Sequence, residues 1–189
     1  MLEDIVMGKK VLILDFDGVI TKLNIDWFKV RDEASKLIGF KIDSLLDFWE
    51  KFFGTREFDL VNEIIEKYEM EEIVKVNPFE DVKIALENFC GKIYLASMQS
   101  EKVLKLFLEK HNLKKYFKEV LGREKFGSKV KQLEYILTRE RVGEIVFVDD
   151  SKKNILKCQS LGVKCILFNR GRGDNLISLI NNIMKNSNI

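Results

Sequence analysis

The sequence predicts an α/β fold: a doubly wound parallel sheet interrupted by an all-helical insertion. Three features predict it. The apolar run Val11–Leu14 ends abruptly in Asp15-Phe16-Asp17-Gly18. About fifty residues after it carry helical periodicity and nothing else. From Pro78 onward, short β-branched runs alternate with amphipathic stretches. Such alternation places strands in parallel with helices on both faces of the sheet, and an apolar run ending in charge reads as a strand buried on both faces.

Taken in order, residues 10–15 form the first strand. Trp27, Phe28, Val30, Ala34, Leu37 and Ile38 then recur at helical spacing, with Gly39 as the stop. Leu45, Leu46, Phe48, Trp49, Phe52 and Phe53 make a second helix ending at Gly54, and Phe58, Leu60, Val61, Ile64, Ile65 and Tyr68 a third. The aromatic residues of this block read as the core of a helical bundle. Asn77 is an N-cap, Pro78 suits a first helical position and Glu80 completes a capping-box pattern, so a helix is expected over residues 78–90. Strands follow at residues 92–96, 119–121, 144–148 and 163–168, with helices at 100–110, 128–139 and 152–161 and a last helix capped by Asp174. Residues 1–21 and 77–189 then form one core domain, and residues 22–76 an inserted helical domain.

Composition narrows the function classes. The chain has 189 residues, 46% of them hydrophobic, enough for a substantial core. Thirty-two basic against 30 acidic residues leave a formal charge of +2, which gives no reason to expect nucleic acid or an acidic membrane as partner. No apolar run reaches the length of a membrane span, and residues 1–10 carry no signal-peptide pattern. Cys90, Cys158 and Cys165 read as small buried hydrophobes in a reducing compartment, the cytoplasm, and not as a disulfide framework or zinc site. His111 is the single histidine, at a polar helix end, which argues against a Ser-His triad.

Polar residues collect at predicted strand ends. Asp15 and Asp17 follow the first strand, Ser97 the second and Asp149-Asp150 the fourth. The carboxyl rim of an open α/β sheet is where such folds bind ligands. Gly18 allows a sharp turn there; a surface Asp-Gly turn is the ordinary alternative. Two pairs of carboxylates on one rim repel one another unless a hard cation such as Mg²⁺ lies between them. Lys129 and Lys131 sit in the first turn of a helix, where a cation is disfavoured by about 0.3–1 kcal/mol; either the lysines reach solvent or an anion or carboxylate holds one of them. A cation, a hydroxyl, an ammonium and an exposed carboxylate together suit phosphoryl transfer with an attacking Asp.

These motifs resemble the haloacid dehalogenase superfamily, in its phosphatase branch with a helical cap, as in phosphoglycolate phosphatase and β-phosphoglucomutase. Asp15-Phe-Asp-Gly-Val-Ile is similar to its first motif, Ser97 to its second, Lys129 to its third (Lys131 if the register slips) and Val-Phe-Val-Asp149-Asp150 to its fourth, in the family's order. The resemblance implies a Rossmann-like core and a Mg²⁺-dependent phosphatase acting on a small phosphorylated metabolite. It implies Asp15 as nucleophile and metal ligand, and Asp17 as general acid and base that also gives the metal a backbone carbonyl. Asp150 and Asp149 are implied as metal ligands, Ser97 and the Met98 N–H as phosphate holders, and Lys129 as the neutralising cation. Met98 replaces a frequent Asn, and Asn154 a frequent second Asp. Residues 22–76 take the place of the cap, with Arg56 after Gly54-Thr55 as a substrate contact. A sugar phosphomutase would keep the same residues. A phospho-accepting regulatory module is the alternative of another class, and Asp17, an acid/base such a switch does not need, separates the two. The sequence leaves the substrate and the oligomeric state open.

Overall fold

A computed structural model describes residues 10–140 and 143–185. Apart from Lys10, the segment in which no signal-peptide pattern is read lies outside the described residues. The sheet consists of β1 (Val11–Leu14), β2 (Lys92–Ala96), β3 (Phe117–Leu121), β4 (Ile145–Asp149) and β5 (Lys164–Leu167), in the order β3-β2-β1-β4-β5. Every pairing is parallel. β1 is central, and the chain builds outward from it first through β2 and β3, then through β4 and β5. The strand order therefore reverses between β1 and β4, which is where an open sheet forms its ligand crevice.

Successive strand residues face opposite sides, and the two sides bury different helices. Leu12, Leu14, Ile93, Leu95, Val146 and Val148 pack with α4 (Val82–Asn88), α5 (Glu101–Lys110) and α9 (Leu176–Lys185). Val11, Ile13, Tyr94, Ala96 and Phe147 face α7 (Lys129–Arg139) and α8 (Lys152–Cys158). The inserted helices α1 (Trp27–Ile38), α2 (Leu45–Phe52) and α3 (Arg56–Ile73) bury a third cluster of their own, built on Val30, Ala34, Phe48, Trp49, Phe58, Val61 and Ile65. Their ends are set locally. Asp26, Ser44 and Thr55 accept from the N–H groups of Lys29, Asp47 and Phe58, and Gly39 closes α1 in the left-handed conformation. α2 stops at Phe52, before Gly54.

Three expectations need correction. The helix after the insertion begins at Val82 and ends at Asn88, not over residues 78–90. Residues 77–79 are instead held to the loop after β1: Thr21 Oγ1 donates to Asn77 O at 2.7 Å and Phe79 N to Ile20 O at 2.9 Å. Those bonds fix the return crossing, and α4 starts after Asp81 with no side-chain cap bond. Asn175, not Asp174, caps α9, its Oδ1 accepting from Ser178 N at 3.1 Å; Asp174 accepts from Asn169 N at 2.6 Å. Cys90 is exposed; of the three cysteines only Cys158 is buried, and none forms a disulfide. A short helix, α6 (Arg123–Phe126), joins β3 to α7 without having been anticipated.

Candidate active site

The site is assembled by sheet register. Leu14 pairs with Val148 on one side and with Leu95 on the other, so Asp15 emerges level with Asp149 and Ala96. Asp15 N donates to Val148 O at 2.9 Å, which extends the ladder by one bond and fixes the carboxylate at the rim. The chain then turns tightly. Ile20 N and Thr21 N both donate to Phe16 O, and Gly18 N donates to Thr21 O. Gly18 has φ +81°, and a Cβ built there would lie 2.1 Å from Asp150 Oδ2. Glycine is required twice over, for its backbone conformation and for the approach of the neighbouring carboxylate.

Lys129, the first residue of α7, is buried. Its Nζ lies 2.6 Å from Asp15 Oδ1, 2.5 Å from Ala96 O and 3.3 Å from Asp149 Oδ2. Burial by itself would lower this ammonium's pKa; Asp15 and Asp149 outweigh it and raise the pKa. Ser128 caps α7, its Oγ accepting from Lys131 N at 3.3 Å. Lys131 is exposed and pairs with Glu134 at 2.8 Å, so the structure brings Lys129, and not Lys131, to the rim.

The acidic residues differ in their surroundings. Asp149 is fully buried; its Oδ1 accepts from Ser151 N at 2.7 Å and its Oδ2 from Asn154 Nδ2 at 3.0 Å. An amide at position 154 donates where a carboxylate could not without a proton. Burial and the charge of Asp15 push Asp149 up to about 6 against the opposing pull of Lys129. Among the described residues, Asp150 has no such partners. The desolvation of its carboxylate, then Asp15, Asp149 and Asp17, push it up to about 7. Asp17 is also raised, by burial first, although the Leu23 N–H at 2.9 Å and the Lys22 ammonium at 3.6 Å oppose the shift.

Among the described residues, Asp15, Asp149 and Asp150 can each aim a carboxylate oxygen at one point, all within 4.8 Å of one another. Three such groups with a single buried lysine leave net negative charge, which a hard divalent cation bound by oxygen ligands would neutralise. The donor set fits a metal ion on this ground.

A cavity of about 360 Å³ opens over Asp15, Asp17, Lys129 and Asp150 and continues against Trp27, Leu45, Leu46, Trp49 and Ile65 of the inserted helices. Ser97 lies just past β2 and is fully buried, its hydroxyl donating to Gln99 Oε1; Met98 and Gln99 form the cavity wall at that point. The Met98 side chain belongs to the apolar cluster of the inserted helices. That placement gives a physical reason for a thioether here: the residue joins the two halves of the molecule by packing. Arg56 is not brought to the cavity. Thr55 caps α3, and Arg56, the next residue, is exposed.

Sequence reasoning missed a second buried ionic group. Arg123 of α6 has no exposed surface; its Nη1 lies 2.7 and 2.9 Å from the two oxygens of Glu69, and 3.1 Å from Met98 O. Its Nε donates to Asn62 Oδ1 at 2.6 Å, and its guanidinium stands 5.0 Å over the Trp49 ring. Glu69 also accepts from Ser100 N at 3.1 Å. Arg123 sits between Gly122 and Gly127 in a stretch too short for periodicity, and a lone Arg or Glu in a helix reads as a solvated surface charge. Gln132 was missed as well; its amide donates to Ser97 O, Leu121 O and Gly122 O and ties the loop after β2 to β3.

A family model for haloacid dehalogenase-like hydrolases matches residues 12–168, from β1 through β5 with the insertion included. The chain belongs to the haloacid dehalogenase-like hydrolases. Solved structures agree with the fold. A hydrolase from Streptococcus pneumoniae TIGR4 is 21% identical over 92% of this chain and 97% of its own, with a TM-score of 0.56. A haloacid dehalogenase superfamily hydrolase of subfamily IA from Geobacter sulfurreducens PCA is 17% identical over 85% and 87%, TM-score 0.55. A haloacid dehalogenase-like family protein from Streptococcus pneumoniae is 14% identical over 83% of each chain, TM-score 0.58. No curated protein matches the chain. As a hydrolase of this family the chain is an enzyme, and its Asp-rich rim is the candidate catalytic centre. Among the described residues no helix is long and apolar enough to cross a membrane.

Proposed function

We propose that this hydrolase is a Mg²⁺-dependent phosphatase that cleaves a small phosphomonoester through an aspartyl-phosphate on Asp15. The observation that carries the reading is the rim cluster itself: Asp15 bound to Lys129 at 2.6 Å, with Asp149 and Asp150 close enough to share one cation. Mg²⁺ held by Asp15 and Asp150, with Asp149 beside them, would neutralise charge on the phosphoryl oxygens and on the carboxylates. Asp15 attacks phosphorus, and the bond from phosphorus to the leaving oxygen breaks. Asp17, whose raised pKa suits a proton carrier, donates to that oxygen. It then takes a proton from the water that attacks the aspartyl-phosphate, which releases phosphate and restores the Asp15 carboxylate. Lys129 orients Asp15 and offsets charge on phosphate. Ser97 and the Met98 N–H take phosphate oxygens once the Gln99 side chain gives way.

Residues 22–76 act as a cap that excludes water from this chemistry, over a core formed by residues 1–21 and 77–189. A cap and a proton carrier at position 17 both favour turnover over a phospho-accepting switch. Three cysteines without a disulfide fit a reducing cytoplasm. The test is phosphate release from a panel of phosphomonoesters, with Mg²⁺ and with chelator, for the wild type and Asp15→Asn. Metal-dependent release that vanishes in the variant is expected. Release that persists in Asp15→Asn would overturn the reading.

A further inference from the structure

We infer that the leaving group accepted by this site is an uncharged aryl or alkyl alcohol, and that esters bearing a second anionic group are rejected. The inference rests on the phosphatase reading and names the substrate class of that same site. Away from the catalytic end, where Lys129, Gln99, Ser151 and Asn154 join the carboxylates, the cavity wall is made by Trp27, Leu45, Leu46, Trp49, Ile65 and Met98, with Glu69 among them. Both tryptophans of the chain are in it. Flat aromatic surface of this kind favours a ring or chain that gives up apolar area to it.

Among the described residues, no cation stands free on the wall. Lys129, the cation on the wall, is spent on Asp15, Asp149 and Ala96 O at the catalytic end. Arg123 is not on the wall and has no exposed surface: it stacks on Trp49, its Nη1 and Nε grip Glu69, Met98 O and Asn62, and its Nη2 is buried without a partner among the described residues. Glu69 does reach the wall, but Arg123 and the Ser100 N–H hold its oxygens, so the pair presents no net charge. A carboxylate or second phosphate seated there would lose its water with no cation to replace it, and with Glu69 close by. A cationic leaving group meets a carboxylate already neutralised and gains little.

The test compares kcat/KM, with Mg²⁺, for phenyl phosphate, 4-carboxyphenyl phosphate and 2-phosphoglycolate. The para-carboxylate makes the phenol a slightly better leaving group, so a preference for phenyl phosphate cannot come from intrinsic reactivity. Phenyl phosphate should exceed 4-carboxyphenyl phosphate by about 100-fold or more, and 2-phosphoglycolate should be poorer still. Leu46→Lys, which places a cation on the wall, should reduce that ratio at least about tenfold by improving the carboxylated ester. The wild-type ratio decides by itself if the variant does not fold. Mg²⁺-dependent release that favours the carboxylated esters would overturn this inference and leave the phosphatase reading standing. No release from any ester would overturn both.

Discussion

Asp150 shares a rim with Asp15, Asp17 and Asp149, and its carboxyl keeps a proton up to about 7, against an ordinary value of 3.8. In the unfolded chain that proton leaves near the ordinary value. Between the two the folded state binds more protons, so metal-free stability falls as pH rises through this window. Asp149, pushed to about 6, contributes with the same sign. In chelator, the melting temperature should therefore drop between about pH 4 and pH 7. Asp150→Asn should flatten that drop, melt about 2–4 °C higher than wild type in chelator at neutral pH, and lose the stabilisation that Mg²⁺ gives wild type. A wild-type melting temperature that rises through the window would contradict this electrostatic reading. Lys129→Met should abolish activity and cost about 3–5 kcal/mol in urea unfolding, because it leaves Asp15 and Asp149 buried without their cation. Much of this centre was legible in the sequence, since carboxylates at predicted strand ends need a counter-charge whatever the fold. The choice of Lys129 over Lys131 needed the register of α7, and the roles of Asn154 and Gln99 needed the hydrogen bonds they make.

At the level of elements, two of the joints between the inserted helices and the sheet domain differ in burial. One is buried: Arg123 of α6 with Glu69 and Asn62 of α3, next to Met98 O and Ser100 N. The other is exposed: Lys153 and Lys157 of α8 reach Asp47 and Glu50 of α2 at 2.5 and 2.6 Å. Gly127 lets Phe53 pack close to the start of α7; a Cβ there would sit 2.6 Å from the ring. The joints should respond differently to mutation. Arg123→Met should destabilise by about 3–5 kcal/mol by stranding Glu69, and adding Glu69→Leu should recover most of that loss, as a double-mutant cycle in urea would show. Lys153→Ala with Lys157→Ala should cost under about 1 kcal/mol, and the effect should fade in high salt. The helices themselves were readable from periodicity and caps. What failed was at boundaries, where tertiary bonds outbid local signals: Asn77 and Pro78 look like a helix start, but Asn77 O and Phe79 N are tied to the loop after β1, and Asp81 accepts from Leu176 N at 2.6 Å, serving α9 instead of its own helix.

Over the whole molecule, the strand order explains why the chemistry lies where it does. β1 and β4 bracket the point where the winding reverses, and their carboxyl ends bring Asp15 and Asp149 level. The alternation of strand and helix made the parallel sheet predictable. The bonds that join the cap to the core were not predictable, because Asn62, Glu69 and Arg123 read as ordinary residues until both halves are seen together. In the proposed mechanism Asp15 carries the phosphoryl group and Asp17 governs its release. The most direct measurement is the intact mass of Asp17→Asn, quenched in acid after exposure to phenyl phosphate and Mg²⁺, with the modified site mapped by fragmentation. A gain of one phosphoryl group on Asp15, absent in chelator and in wild type at steady turnover, is predicted. An unmodified Asp15 in a variant that still releases phenol, or a phosphoryl group on another residue, would contradict it.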